Sequence, residues 1–145
     1  MLMLPANIPT TKSQRIARWC LGPFMLSAGI AHLSVLQEQF HAQVPNWLPF
    51  DPDLVVILSG WVEITFGAAL LGLARYQFWV GLALAGFFVA IFPGNLSQYL
   101  NGIDAFGLDT DAKRLARLFF QPVFILWALW STGAWTAPSA SKTTG

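Results

Sequence analysis

Two long apolar runs separated by three residues decide the fold. The first run is LVVILSGWVEITFGAALLGLA, residues 54–74, and the second is FWVGLALAGFFVAIFPGNLSQYL, residues 78–100. A helix that rises 1.5 Å per residue needs about 20 apolar residues to cross a bilayer core. Because residues 75–77 are barely a turn, we expect these runs to form an antiparallel pair of membrane-spanning helices.

Two further apolar segments, residues 16–36 and 115–135, flank this pair. The segments are too long and unbroken for barrel strands, and an unpaired backbone cannot cross lipid, so we expect helices throughout. The sequence therefore predicts an all-α, integral membrane four-helix bundle over residues 12–136. The segments outside it, 1–11 and 137–145, are predicted to be flexible tails.

The composition agrees with a membrane protein and excludes several other classes. Of the 145 residues, 55% are hydrophobic and only 10% are charged, against roughly a quarter charged in soluble domains. A net charge of +1 without a basic stripe argues against nucleic-acid binding, and 14% aromatic residues argue against disorder. Cys20 is the single cysteine, which excludes a disulfide scaffold. We expect a cell-membrane location, the inner membrane if the source is bacterial, with the lipid bilayer as partner.

The distribution of charge predicts that both termini are cytoplasmic. With four crossings, five basic residues share one side, namely Lys12, Arg15, Arg18, Arg75 and Lys142. The other side carries most of the acidic residues, together with Lys113, Arg114 and Arg117, which oppose this orientation. A cleavable signal peptide is the alternative for the N-terminus, but its apolar run lacks a clear A-x-A cleavage site.

Strongly polar side chains within the predicted spans are the candidate functional residues. They are His32, Glu63, Asn95, Arg117 and Gln121. Counting the helix rise from each predicted span end places all five in the outer half of the bilayer, with Glu63 about 13 Å deep. The same count leaves the inner half without such a group. Because these groups are costly in lipid, we expect them to face the interior and form a polar chamber.

Helical spacing supports the inward orientation of these groups. Gly60, Glu63 and Gly67 share one face at i, i+3 and i+7, and small residues there allow a neighbouring helix to approach. Pro93 should kink the third helix and free the carbonyl of Val89. The apolar, proline-broken segment VPNWLPF, residues 44–50, is predicted to be either a lid over the chamber or an anchored loop.

Two interpretations of the polar residues stay open. His32, Asn95 and Gln121 are more typical of interhelical hydrogen bonds that only hold a bundle together. For Glu63 a functional role is favoured, because a carboxylate near the middle of a bilayer is energetically unfavourable. A salt bridge with Arg117 would instead give Glu63 a structural role. No metal site is expected, because the two histidines lie nine residues apart and cannot provide the pair that a membrane haem or di-iron site needs. The lack of a CxxC motif argues against disulfide shuttling.

The chain resembles the DoxX-like family of small four-helix membrane proteins. Its matching pieces are AGIAH (28–32), PNWLP (45–49), SGWVEI (59–64), IFPGNL (91–96), and Arg117 with Gln121-Pro122. The resemblance covers roughly residues 20–135. It implies an association with membrane oxidoreductase systems and points to His32, Glu63, Asn95 and Arg117, without supplying a catalytic role.

The sequence thus favours a redox-associated membrane subunit that binds a small amphipathic molecule, either a quinone or a lipid, in the outer chamber. Its expected partners are a membrane oxidoreductase complex and further copies of itself. The main alternative is a scaffold or assembly subunit. A proton-coupled transporter and a sterol-type isomerase rank lower, and the sequence leaves open whether the protein is an enzyme.

Overall fold

A computed structural model describes residues 8–34, 36–105 and 107–135. Within these ranges the protein is all-helical and has no strands. Its helices are α1 (Lys12–His32), α2 (Gln37–Phe40), α3 (Pro52–Gly72), α4 (Gln77–Leu100) and α5 (Asp111–Ser131). The predicted C-terminal tail, and residues 1–7 of the predicted N-terminal tail, lie outside the described residues.

Side-chain caps move two helix starts away from the predicted spans. The Thr11 hydroxyl accepts from the backbone N–H of Gln14, and the Gln14 side chain accepts from the backbone N–H of Thr11. This capping box starts α1 at Lys12 rather than at residue 16. The Thr110 hydroxyl accepts from the backbone N–H of Lys113, and this cap starts α5 at Asp111 rather than at residue 115. Helices α1 and α5 also end about one turn before their predicted ends, at His32 and Ser131. The predicted segments therefore had the right length and were displaced along the chain by about one turn.

Glycines hold α1 and α3 together. A Cβ added at Gly29 would lie 2.5 Å from the carbonyl oxygen of Gly60, and one at Gly67 would lie 2.8 Å from that of Gly22. Only glycines allow the two backbones to approach this closely. The helices therefore form two pairs, α1 with α3 and α4 with α5. Their shared core consists of Leu21, Met25, Leu70, Leu84, Phe88 and Ala128.

The connection between α1 and α3 folds back over one end of the bundle. Predicted as a loop, it contains α2 and a 3-10 turn at His41–Gln43. Gly94 on α4 has no Cβ at the place where the Gln43 carbonyl packs against it. We call this end, which also carries residues 101–110, the long-loop end. The opposite end, where a 3-10 turn at Ala74–Tyr76 joins α3 to α4, is the tight-turn end.

In the described part of the chain, two helices are long and apolar enough to cross a membrane. They are α3, with mean hydropathy 2.0, and residues 74–100, with mean hydropathy 1.7. Helix α1 qualifies only together with residues 37–43, which bend away from it by 98°. Helix α5 does not qualify, since Arg114, Arg117 and Gln121 lie in its first half. Length and composition thus support two of the four predicted crossings, or three if the bent pair counts as one span.

Candidate functional site

A cavity of about 380 Å³ lies between the two helix pairs at the long-loop end. Its walls are mainly aromatic and aliphatic, with contributions from α1, α3, α4, α5 and the α1–α3 connection. The polar residues that line it are His32, Gln43, Ser59, Glu63, Arg117 and Gln121. Four of the five predicted site residues are therefore brought together. Asn95 does not line the cavity and reaches it through Gln121.

His32 and Glu63 form the polar contact between α1 and α3. Nδ1 of His32 lies 2.9 Å from Oε2 of Glu63 and 2.8 Å from the carbonyl oxygen of Ala28. The carbonyl oxygen and the carboxylate oxygen both face Nδ1, and the tautomer and charge of the ring determine which of them accepts its proton. The His32 ring stacks on Phe40, with ring centroids 3.4 Å apart. The imidazole is thus held between Phe40 and the buried carboxylate of Glu63.

Arg117 contributes a buried donor from the second turn of α5. Its Nη1 is shielded from solvent and has no hydrogen-bond partner in the described part of the chain. Its Cζ lies 5.8 Å from the centroid of the Phe124 ring, a cation–π arrangement. No ion pair joins Arg117 to Glu63 or to any other described carboxylate. The pairing that would have made Glu63 structural is therefore not formed.

Asn95 and Gln121 link α4 to α5. Nδ2 of Asn95 donates to Oε1 of Gln121 at 3.2 Å, and Nε2 of Gln121 donates to the carbonyl oxygen of Phe88 at 2.6 Å. The carbonyl that accepts this side chain is thus that of Phe88. It is not that of Val89, which the position of Pro93 predicted to be free; the Val89 side chain lies on the exposed side of the helix. This pair fits the structural interpretation of the two amides.

The α1–α3 connection forms part of the cavity wall. Its lining residues are Phe40, Gln43, Val44, Pro45, Trp47 and Leu48. Nε2 of His41 lies 2.7 Å from Oδ1 of Asp53, and Nε2 of Gln37 donates to the same carboxylate oxygen at 3.3 Å. The segment between residues 37 and 48 is therefore fastened to the first turn of α3. Of the two predicted roles for residues 44–50, the structure places their first part against the chamber.

The tight-turn end is also polar, which the sequence analysis did not predict. Arg18, expected to precede the first helix, lies inside α1 with 4% of its surface exposed. Its Nη1 donates to the carbonyl oxygen of Leu70 at 2.9 Å. The expectation that this half lacks strongly polar groups is wrong. The spacing of Arg18 to Leu21, Gly22 and Met25 would have revealed the residue as part of the core face.

A second group of residues missed from the sequence organises the connection between α4 and α5. Nη1 of Arg114 donates to Asp104 at 2.6 Å and to the carbonyl oxygen of Leu108 at 2.9 Å, and Nη2 donates to Asp111 at 2.8 Å. Gly102 takes a φ of 60° just after α4 ends, a conformation that favours glycine. These contacts fix the start of α5 and hence the position of Arg117.

The described residues contain no cluster of three His, Cys, Asp or Glu that could hold a metal ion. A family model described as Domain of unknown function (DUF8561) matches residues 21–132. The chain belongs to the DUF8561 family. No curated protein and no solved structure matches it significantly. The DUF8561 region contains every residue that lines the cavity.

Proposed function

We propose that this chain is a multi-pass membrane protein, a four-helix bundle with both termini in the cytoplasm, that binds a small amphipathic molecule in the cavity. One observation carries the proposal: a mostly apolar cavity is lined by the buried His32–Glu63 pair and by Arg117, whose Nη1 has no hydrogen-bond partner among the described residues. An unpaired buried polar group costs on the order of 1–3 kcal/mol. A bound molecule with a polar head would remove that cost.

The outer surface of the helices supports a membrane environment for all four long helices. Large apolar side chains are exposed on α3, α4 and α5, among them Trp61 (58%), Val89 (58%) and Phe119 (67%). In water such a surface would drive aggregation, whereas lipid solvates it. Arg117 and Gln121 keep α5 below the hydropathy of a membrane span, yet both side chains point into the bundle, where polar groups in membrane helices are placed.

The chemistry of the walls supports a ligand with a ring or chain attached to a compact polar head. Phe24, Phe88 and Phe124 form a continuous aromatic contact, with ring centroids of neighbouring pairs 5.2 and 5.6 Å apart. A quinone and a lipid both meet this description. Together with the resemblance to the DoxX-like family, the site supports a role as a redox-associated membrane subunit, with a membrane oxidoreductase complex as its partner.

Native mass spectrometry of the detergent-purified protein tests this function. The wild-type chain should carry a co-purified small molecule, and Ser59→Phe, which fills the cavity, should lose it. Glu63→Gln should weaken retention about tenfold, because a neutral amide accepts a weaker hydrogen bond than a carboxylate. Glu38→Gln, an exposed position in α2, is the matched control. Unchanged retention and unchanged thermal stability in Glu63→Gln would remove Glu63 from the site.

A scaffold or assembly role is the second candidate, and one observation favours it. The hydrogen bonds from Asn95 to Gln121 and from Gln121 to Phe88 join α4 and α5 without any contribution from a ligand. If these bonds are the purpose of the polar residues, Gln121→Leu should reduce recovery of a partner complex. In that case no small molecule should co-purify with the wild-type protein.

A further inference from the structure

We propose that the cavity takes its occupant from the bilayer, sideways between α3 and α4, through an opening bounded by Trp47, Ser59 and Ala90, which we call the side opening. This inference rests on the proposed function and specifies the class of ligand: a molecule with an apolar chain or ring that is dissolved in lipid, rather than one carried by water. The walls of the cavity differ in how they are closed, and this difference locates the opening.

Among the described residues, four both line the cavity and are exposed, so they mark where it can meet its surroundings. They are Phe24, Trp47, Ala90 and Pro93. Phe24 belongs to α1, whereas Ala90 and Pro93 belong to α4. Ala90 lies about one helical turn after Phe87, whose ring contacts Phe66 of α3. Ala90 is therefore on the edge of α4 that borders α3.

Trp47 lies on the same side of the bundle as Ala90. The Gln43 carbonyl packs at Gly94 of α4, and α3 starts at Pro52, so residues 44–51 run from α4 to α3. Trp47 is in the middle of this path and has 71% of its surface exposed. Its side chain lines the cavity from above the gap between the two helices. Three of the four exposed lining residues thus belong to this gap.

The opposite gap, between α1 and α5, is closed by aromatic side chains. The ring centroid of Phe24 lies 5.2 Å from that of Phe124 and 5.9 Å from that of Trp127. Nε1 of Trp127 in turn donates to the carbonyl oxygen of Ala17 at 2.9 Å. The exposed surface of Phe24 is therefore the outside of a packed aromatic group that joins the two helices.

The connection between α1 and α3 closes the cavity at the long-loop end. Val44 and Pro45 are buried there and line the cavity. The segment that carries them is fastened to α3 by His41, whose Nε2 lies 2.7 Å from Oδ1 of Asp53. A molecule that arrives from water at this end would have to displace the segment, whereas one that arrives from lipid between α3 and α4 would not.

The gap between α3 and α4 is closed only toward the tight-turn end. There the rings of Phe66 and Phe87 pack with centroids 5.7 Å apart. Between this pair and the connection, the described residues of the two helices form no hydrogen bond or ring contact with each other. The lining side chains at this level include two small ones, Ser59 on α3 and Ala90 on α4. Small side chains leave space between membrane helices, and in a bilayer that space faces lipid chains rather than water.

Two matched photoreactive probes test the route in protein reconstituted in phosphatidylcholine nanodiscs. The first is a phosphatidylcholine whose acyl chain ends in an aryl diazirine, which stays in the bilayer. The second is the same aryl diazirine coupled to maltose, which stays in water. After illumination, mass spectrometry of peptides measures adducts at His32 and Glu63, which are buried and line the cavity. Adducts at the exposed Trp61 normalise the yield. In the wild-type protein the lipid probe should label the two cavity residues, and the maltose probe should not.

Variants at the side opening change the yield in opposite directions. Ala90→Phe should lower the adducts at the cavity residues about tenfold, because a ring in the opening overlaps with an entering chain. Val89→Phe is the matched control: it adds a ring one residue away, at a position that is 58% exposed and does not line the cavity, and it should keep the wild-type yield. Trp47→Ala enlarges the opening and should raise the yield about twofold. If Ala90→Phe does not fold, the two probes and Trp47→Ala still decide the question.

The outcomes separate the two proposals. If the maltose probe labels the cavity residues as strongly as the lipid probe, or if Ala90→Phe and Val89→Phe give equal yields, entry from the bilayer at this opening is wrong while the cavity remains a binding site. If neither probe labels the cavity residues, the route is also wrong. If, in addition, native mass spectra of the purified protein show no bound molecule, the proposed function fails as well.

Discussion

The two ends of the bundle use buried polar residues differently. At the tight-turn end, polar side chains close onto backbone carbonyls: Arg18 onto Leu70, and Thr132 onto Ala128. At the long-loop end, Glu63 and Arg117 line a cavity, and Nη1 of Arg117 has no hydrogen-bond partner among the described residues. Both ends thus contain an arginine that points into the bundle, and the one at the long-loop end lines the cavity described above. The cavity beside the polar groups, rather than their number or their pairing, distinguishes the candidate site, because Nε of Arg18 at the tight-turn end also lacks a described hydrogen-bond partner.

The largest loss of folding stability is expected at the close contact between α1 and α3, because both ends of the bundle depend on it. Gly29→Ala should destabilise the protein by about 1–3 kcal/mol, because overpacking a close backbone contact forces the helices apart. The added Cβ would lie 2.5 Å from the carbonyl oxygen of Gly60. Gly86→Ala is the control, since a Cβ there meets nothing within 4 Å and alanine favours a helix. Thermal unfolding in detergent measures both variants, and equal melting temperatures would contradict the tight contact.

Arg18→Met probes the tight-turn end. It should destabilise the protein by about 1–3 kcal/mol, because the buried carbonyl of Leu70 loses its side-chain donor and the guanidinium loses its packing. Retention of the co-purified molecule should not change. Arg15→Met, on the exposed side of α1, should leave stability within about 0.5 kcal/mol of wild type. Ligand loss in Arg18→Met at unchanged stability would contradict the division between the two ends.

Arg117→Met makes the same substitution at the long-loop end, and the opposite pattern of effects is expected. Its Nη1 has no described partner, so removal of the charge should leave the ligand-free protein as stable as wild type or raise its unfolding free energy by up to about 3 kcal/mol. The same change should abolish retention of the co-purified molecule. Stability is followed by thermal unfolding and retention by native mass spectrometry. A large loss of stability with normal retention would show that Arg117 is structural after all.

The smallest effect lies in the connection to α5. A hydrogen bond from Lys113 holds the pKa of Asp109 below its ordinary value of 3.8. A carboxyl whose pKa is lowered by folding stabilises the folded state above its unfolded pKa, and this is lost as the pH falls through the folded pKa. Melting temperatures of wild type and Asp109→Asn should therefore differ slightly at pH 7 and converge below about pH 3. A difference that grows on acidification would contradict this sign.

The helical periodicity of the sequence predicted which helix faces point into the bundle. It could not predict which polar side chains contact each other across different helices. The spacing of Gly60, Glu63 and Gly67 is enough to place this face toward α1, because a helix repeats every 3.6 residues. The starts of α1 and α5 were missed because the predicted bounds followed the hydropathy of the segments. The threonines that cap these helices, Thr11 and Thr110, lie outside the apolar runs. Whether Arg117 meets Glu63 depends on the separation of two helices that touch different neighbours. That separation, and hence the cavity, is set by packing between segments distant in sequence.

The fastening of residues 37–48 has a mechanical consequence. This segment is attached to α3 through Asp53 and packs against α4 at Gly94, and these helices belong to different pairs. The segment therefore connects the two helix pairs by its contacts. The cavity cannot widen by separation of the pairs unless the segment first loses its contact with α3 or with α4.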